Sequence, residues 1–366
     1  GAQIDVFSRC ERNVLSVSDG AVALTENRKL YSAATFSGES EVEDEFDCNA
    51  EDVLLPSAEV IVTDCTVRSG MAEINGEIYL SLLAIRDKKP VCFDRIIPFK
   101  SEIACEDALL ARKAGCRAEI KEISINAGVN EEKGKCGIEA VISLAFSGVY
   151  YDEEETPVVL DAFSPDSELK LTFFEEKATP CTEIKVFSEG VSGLCATKAR
   201  LDYTCAFTAA ALPKAEFMCT GNEVEGSISA TLLYEQNGET RSTEVDLPFA
   251  VQLNGLNGTP ENISVAVCGV NIRQRAEGEC EAEAVLKISV ADCEERNVSY
   301  VTGIEEAEKL NVEKSVISVF VPSAGDSLWN TAKKLCQSPE EITSTNPDLE
   351  FPLTGKERIL VYRTKH

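Results

Sequence analysis

The chain is written twice over, and that constrains its fold more than any other feature. Asp5-Val6-Phe7-Ser8 returns 156 residues later as Asp161-Ala162-Phe163-Ser164. Leu55-Pro56-Ser57-Ala58-Glu59-Val60 returns at an offset of 157 as Leu212-Pro213-Lys214-Ala215-Glu216-Phe217. At an offset of 150, Glu73-Ile74-Asn75-Gly76-Glu77-Ile78 matches Glu223-Val224-Glu225-Gly226-Ser227-Ile228, Leu82-Leu83 matches Leu232-Leu233, and Pro98-Phe99 matches Pro248-Phe249. Cys136 and Glu139-Ala140-Val141 match Cys280 and Glu283-Ala284-Val285 at 144. Blocks that stay in order while the offset moves by small steps mark a duplicated module with altered loop lengths. The units run from about 1 to 158 and 159 to 316, leaving 317–366 as a tail. A frame beginning near 51 and 209 fits almost as well, because repeats do not fix their own starting point.

Within each unit the texture is that of strands. Asn75-Gly76 between Ala72-Glu73-Ile74 and Glu77-Ile78-Tyr79-Leu80 predicts a type I′ hairpin, with Gly226 at the equivalent place. Gln236-Asn237-Gly238 predicts another turn, leading into the alternating run Ser242–Leu247. Pro98 and Pro248 belong at strand ends or on a sheet edge, since proline donates no ladder hydrogen bond. Glu139–Leu144 and Glu283–Ile288 read as half-buried strands, and 106–113 as a short helix. The acidic runs Asp152-Glu153-Glu154-Glu155 and Glu294-Glu295 read as solvated loops. Each unit is therefore expected to be a β-rich sandwich or barrel-like domain.

Composition removes most catalytic classes. The only histidine among 366 residues is His366, which excludes Ser-His-Asp and Cys-His catalysis and nearly every His-ligated metal site. No Gly-rich phosphate loop or nucleophile elbow occurs. The 15 cysteines form no CxxC and are odd in number, so they read as buried free thiols of a reducing compartment. No cofactor and no metal is expected. A net charge of −28 repels phosphate backbones and argues against nucleic-acid binding. No run approaches the ~18 apolar residues that cross a bilayer, and no signal peptide is visible.

From Ile317 the texture changes. An apolar strand, Ile317–Val321, leads to Gly325-Asp326-Ser327-Leu328-Trp329, and Leu328, Trp329, Ala332 and Leu335 fall at helical spacing. Asp326 or Ser327 can cap that helix. Ser338-Pro339-Glu340-Glu341 opens a second one, with Ser338 as cap and Pro339 at the first helical position. Asn346-Pro347 ends it. Leu353-Thr354-Gly355 turns the chain into a closing strand, Arg358–Tyr362. The order is βααβ. Its six basic and six acidic residues cancel, which places the whole excess of negative charge on the repeats.

This segment resembles a LysM domain through Gly325, Asp326, Ser327, Leu328, Trp329, Ala332, Lys333, Lys334, Asn346, Pro347 and Gly355. The resemblance implies a shallow groove for N-acetylglucosamine polymers. Its two walls would be Gly325, Asp326, Ser327 and Leu328, and Asn346, Pro347, Asp348 and Leu349. Leu328, Trp329 and Ala332 also suit a small core, and Asn346 a helix cap.

A duplicated β-rich unit followed by a LysM domain is similar to the SPOCS-domain family of clostridial spore-coat adaptors. That resemblance rests on the DxFS blocks, the Pro-Phe blocks and the domain order. It implies three domains, 1–158, 159–316 and 317–366, and a non-catalytic sporulation protein in the mother-cell cytoplasm at the forespore surface. The LysM domain would recognise a spore-coat morphogenetic protein or a peptidoglycan glycan. The competing expectation is an exported cell-wall protein that binds peptidoglycan through LysM.

Overall fold

The computed structural model describes residues 21–105, 110–130, 135–197, 199, 201–202, 204–276, 279–310 and 317–362. The fold is mainly β, with antiparallel sheets and two short helices near the carboxyl end. The first repeat supplies β1 (Val22–Cys48), β2 (Asp52–Arg68), β3 (Met71–Arg86), β4 (Lys89–Ala104), β5 (Arg112–Asn130) and β6 (Lys135–Phe163). The second supplies β7 (Ser167–Ala178), β8 (Cys181–Thr197), β9 (Ala206–Thr220), β10 (Glu223–Gln236), β11 (Glu239–Gln252), β12 (Thr259–Ala276), β13 (Glu279–Cys293) and β14 (Arg296–Lys309). The tail adds β15 (Ile317–Phe320), α1 (Leu328–Leu335), α2 (Pro339–Thr345) and β16 (Ile359–Tyr362).

By contacts the chain divides into two compact units. The barrel unit joins Ser32–Asp152 to Ala178–Arg296; the knob unit joins Gly1–Tyr31, Glu153–Lys177 and Asn297–His366. Position 158, the expected repeat boundary, lies inside β6.

The barrel unit holds two six-stranded sheets, β1-β6-β5-β2-β3-β4 and β12-β13-β8-β11-β10-β9. Read as rings, β1-β6-β5-β2-β3-β4 and β8-β13-β12-β9-β10-β11 are the same circuit cut at different seams. The first ring is open between β4 and β1, where Ser40 Oγ meets Ser101 Oγ at 2.7 Å and Arg95 Nε donates to Asp44 Oδ2 at 2.9 Å. Ile74, Ile78, Leu80, Leu82, Ile142 and Leu144 fill the first interior; Val224, Ile228, Leu232, Leu286 and Ile288 fill the second. These residues alternate along their strands, as one-sided burial of a pleated strand requires.

The second ring is open between β9 and β12, and a residue of the first repeat occupies that seam. The carboxylate of Glu59, on β2, accepts from Ala215 N of β9 at 3.1 Å and from Val267 N of β12 at 2.6 Å. Burial pushes its pKa up against the pull of those two amides. Amides that would otherwise be buried without a ladder partner are satisfied by one side chain.

Four expectations are corrected. Neither Asn75-Gly76 nor Gly226 forms a hairpin, and Gly226 lies inside β10, opposite Phe217 and Phe249. Gly76 lies in the interior of β3, opposite Val62 and Phe99. A Cβ there would stand 2.3 Å from Ile61 O and 2.4 Å from Phe99 Cζ, so glycine is needed for close approach rather than for a turn. The hairpin between β3 and β4 turns instead at Asp87-Lys88, with φ of 51° and 61°. Its counterpart 150 residues later is the expected Asn237-Gly238 turn, with φ of 55° and 80°. Both have the two positive φ values of a type I′ turn. The acidic run Asp152–Glu155 belongs to β6, not to a loop: Asp152 is half-buried and the three glutamates are exposed on a strand, which needs no chain break. The helix expected over 106–113 gives way to β5 from Arg112, while 106–109 lie outside the described residues. The first DxFS block, Asp5–Ser8, also lies outside them. Glu294-Glu295 does connect two strands, β13 and β14. Pro98 sits on β4, the outer strand of its sheet, but Pro248 lies within β11, between β8 and β10, so the edge expectation fails in the second repeat.

In the knob unit, the start of β1 pairs with the end of β6, and β7 pairs with β14. Leu30, Val158 and Tyr300 pack together, as do Val159, Ala162 and Val301. β15 and β16 pair antiparallel and carry both helices.

Candidate functional site

The βααβ knob forms as its local chemistry dictates. Ser327 caps α1 by accepting from Asn330 N at 3.1 Å. Ser338 and Glu341 make a reciprocal capping box at α2, with Glu341 N donating to Ser338 Oγ at 3.2 Å and Ser338 N to Glu341 Oε2 at 3.0 Å. Ala332, Leu335, Ile342, Leu353, Ile359 and Val361 form the core.

The two expected groove walls converge on that one core. Leu328 and Leu349 are half-buried and pack against it from the two walls. Gly325, Pro347 and Asp348 are exposed. Three of the eight expected residues hold the frame. Asp326 is buried; it accepts from Ser323 N at 3.0 Å, and Lys334 Nζ reaches both its oxygens at 2.8 Å. The Lys334 ammonium and the Ser323 amide hold its pKa below the usual carboxylate value. Ser327 is the α1 cap. Asn346 ties α2 to β16: its Nδ2 donates to Ile342 O and Leu360 O at 3.1 and 2.9 Å, and its Oδ1 accepts from Leu360 N at 2.7 Å. Gly325 N also donates to Leu353 O at 2.7 Å, which closes the first wall against the final turn.

Sequence reading missed an anchor on α1. Trp329 Nε1 donates to Asp161 Oδ2 at 2.9 Å, and Lys333 Nζ contacts both Asp161 oxygens at 2.8 Å. Phe163 meets the indole edge-on, ring centres 5.2 Å apart, and joins the knob core. Burial works against the charge on Asp161, but Lys333 and the indole N–H outweigh it and lower its pKa. The signals were present: Trp329 and Lys333 are four apart on one helix face, and Asp161 and Phe163 are two apart on one strand face. Both belong to the second DxFS block. Its Ser164 accepts from Asp166 N at 3.3 Å in the turn that follows.

Among the described residues, no group of three or more His, Cys, Asp or Glu is placed to hold a metal ion, and no helix is long and apolar enough to cross a membrane. No family model, curated protein or solved structure matches the chain.

Proposed function

We propose that the chain is a non-catalytic adaptor of the SPOCS-domain kind: a body of two acidic repeats that carries a LysM-type recognition head. The head recognises a spore-envelope protein or peptidoglycan, and the protein works in the mother-cell cytoplasm at the forespore surface. The observation that supports this reading most is the anchoring of α1 by Asp161 and Phe163. A head fixed to rigid strands keeps its groove preformed, so less conformational entropy is lost when a ligand binds. The anchor uses Trp329 and Lys333, while Gly325, Pro347 and Asp348 stay exposed beside Leu328 and Leu349. The negative body repels anionic wall polymers and attracts basic protein surfaces, which favours a protein partner.

The test is a fluorescent fusion in sporulating cells, combined with cosedimentation of the purified protein on peptidoglycan. The wild type should ring the forespore, and Asp348→Arg with Leu349→Ser should disperse it without changing the circular dichroism of the strands. Cosedimentation lost in that variant assigns the groove to glycan; forespore rings without cosedimentation assign it to protein. A fusion recovered from the cell wall, or one spread evenly through the cell, overturns the reading.

A further inference from the structure

The second barrel carries four cysteines as two directly opposed pairs on one ladder. Cys195 of β8 faces Cys280 of β13 at one end, and Cys181 partners Cys293 at the other, just past a register irregularity that follows Asp292. Regularly opposed residues of antiparallel strands, as Cys195 and Cys280 are, have Cα atoms about 4.5–5.5 Å apart, within the roughly 4.4–6.8 Å that a disulfide spans. All four thiols are free, and Cys181 Sγ donates to Glu183 O at 3.5 Å.

Where the second pair stands is informative. In the first repeat β1 and β6 run on unbroken, at 27 and 29 residues. Their counterparts in the second repeat are interrupted, at Thr179-Pro180 between β7 and β8 and at Glu294-Glu295 between β13 and β14. Cys181 follows the first interruption directly and Cys293 precedes the second. The main-chain link beside them is a 3.1 Å bond from Glu294 N to Pro180 O. Val149, 144 residues before Cys293, holds the matching place on the unbroken β6. At Val149 the unbroken strand carries no thiol.

We propose that Cys181 with Cys293, and Cys195 with Cys280, are dithiol sites that a small disulfide oxidant of the oxidised-glutathione class converts into two cross-strand disulfides. In each site one thiol loses its proton, and its sulfur attacks the oxidant's S–S bond, releasing one small thiolate. The second cysteine then loses its proton and attacks the mixed disulfide, releasing the other. One Sγ–Sγ bond forms, the oxidant's S–S bond breaks, and the two protons and two electrons leave with two molecules of small thiol. Burial pushes the Cys280 thiol up to about 11 and raises that of Cys195; the bond to Cys181, with burial, raises that of Cys293. The thiolate is the attacking form, so each site reacts faster as pH rises. Each closed loop is long, 195 to 280 and 181 to 293, so oxidation restricts the unfolded chain strongly.

The native full chain is incubated with oxidised glutathione at pH 7 and pH 9, quenched with acid, and mapped as non-reduced peptides by mass spectrometry. Linked peptides joining Cys181 to Cys293 and Cys195 to Cys280 are expected, forming at least tenfold faster at pH 9. The urea midpoint should rise after oxidation and return with dithiothreitol. Cys293→Ala should remove the first link and preserve the second, and Cys280→Ala the reverse, which keeps the test decisive if one variant misfolds. Absence of both links at pH 9, or links that appear only in denaturant or with scrambled partners, overturns the proposal.

Discussion

The indole Nε1 of Trp329 donates to Oδ2 of Asp161 across 2.9 Å, joining residues 168 positions apart. Trp329 is the chain's one tryptophan, so its fluorescence reports on the anchor alone. Asp161→Ala removes the acceptor and leaves Lys333 without this partner. The knob should lose about 1.5 kcal/mol, and the emission should move to the red. The wild-type emission should also titrate. A carboxylate whose folded pKa is depressed stabilises above its unfolded value, near pH 4, and loses that contribution as pH falls through the folded pKa. A red shift at pH 6 rather than below about pH 4 would contradict the assignment.

Asp292 gives a parallel prediction in the barrel unit. Its side chain is buried; it accepts from Asn257 N at 2.9 Å and Gly258 N at 2.8 Å, and Lys185 Nζ lies 2.8 Å away. Burial opposes the charge, yet the two amides and the ammonium outweigh it and lower the pKa. Asp292→Asn removes the ion pair and leaves one amide facing an NH2 group, while Lys185 keeps Glu183 at 3.0 Å and Gly255 O at 2.6 Å, so it should cost about 1–3 kcal/mol in urea unfolding near pH 7. The gap between variant and wild type should narrow below about pH 4, where the wild-type carboxylate protonates.

Gly76 tests the packing argument. Gly76→Ala places a methyl group against Ile61 O and the Phe99 ring, and should destabilise the first barrel by about 1–3 kcal/mol. An unchanged urea midpoint would mean that the strand yields without cost.

Lys88 tests the turn argument with the opposite sign. It holds a φ of 61°, where its repeat counterpart is Gly238. Left-handed backbone costs a non-glycine residue about 1–2 kcal/mol, partly offset by the greater freedom of glycine in the unfolded chain. Lys88→Gly should therefore raise stability by a few tenths to about 1 kcal/mol, measured as a higher midpoint at unchanged slope.

Removing residues 317–366, one part of the knob unit, tests that division. The described residues of the two barrel cores all precede position 317, so the barrels should keep their cooperative unfolding. Phe163 would lose its knob neighbours, and the strands of the knob unit should become less protected in hydrogen exchange. Loss of barrel unfolding on this deletion would contradict the division.

Local chemistry made the strand content, the duplication and the knob legible. Period-two burial, the Asn237-Gly238 turn, the Ser338 capping box and the helical spacing of Leu328, Ala332 and Leu335 each depend on neighbours a few residues away. Gly76 misled for a related reason. Asn-Gly is a turn signal when only sequence neighbours are considered, but Phe99 and Ile61 claim that glycine from other strands.

The sequence by itself determined that the chain is a β-rich duplication with a βααβ tail, because hydrophobic period, caps and turns are short-range properties. Only the tertiary structure decided which seam of each barrel stays open, that Glu59 fills one of them, and that Asp161 anchors Trp329. The Glu59 and Asp161 contacts join residues separated by more than 150 positions, and such partners are selected by three-dimensional packing and by the need to satisfy buried amides and charges.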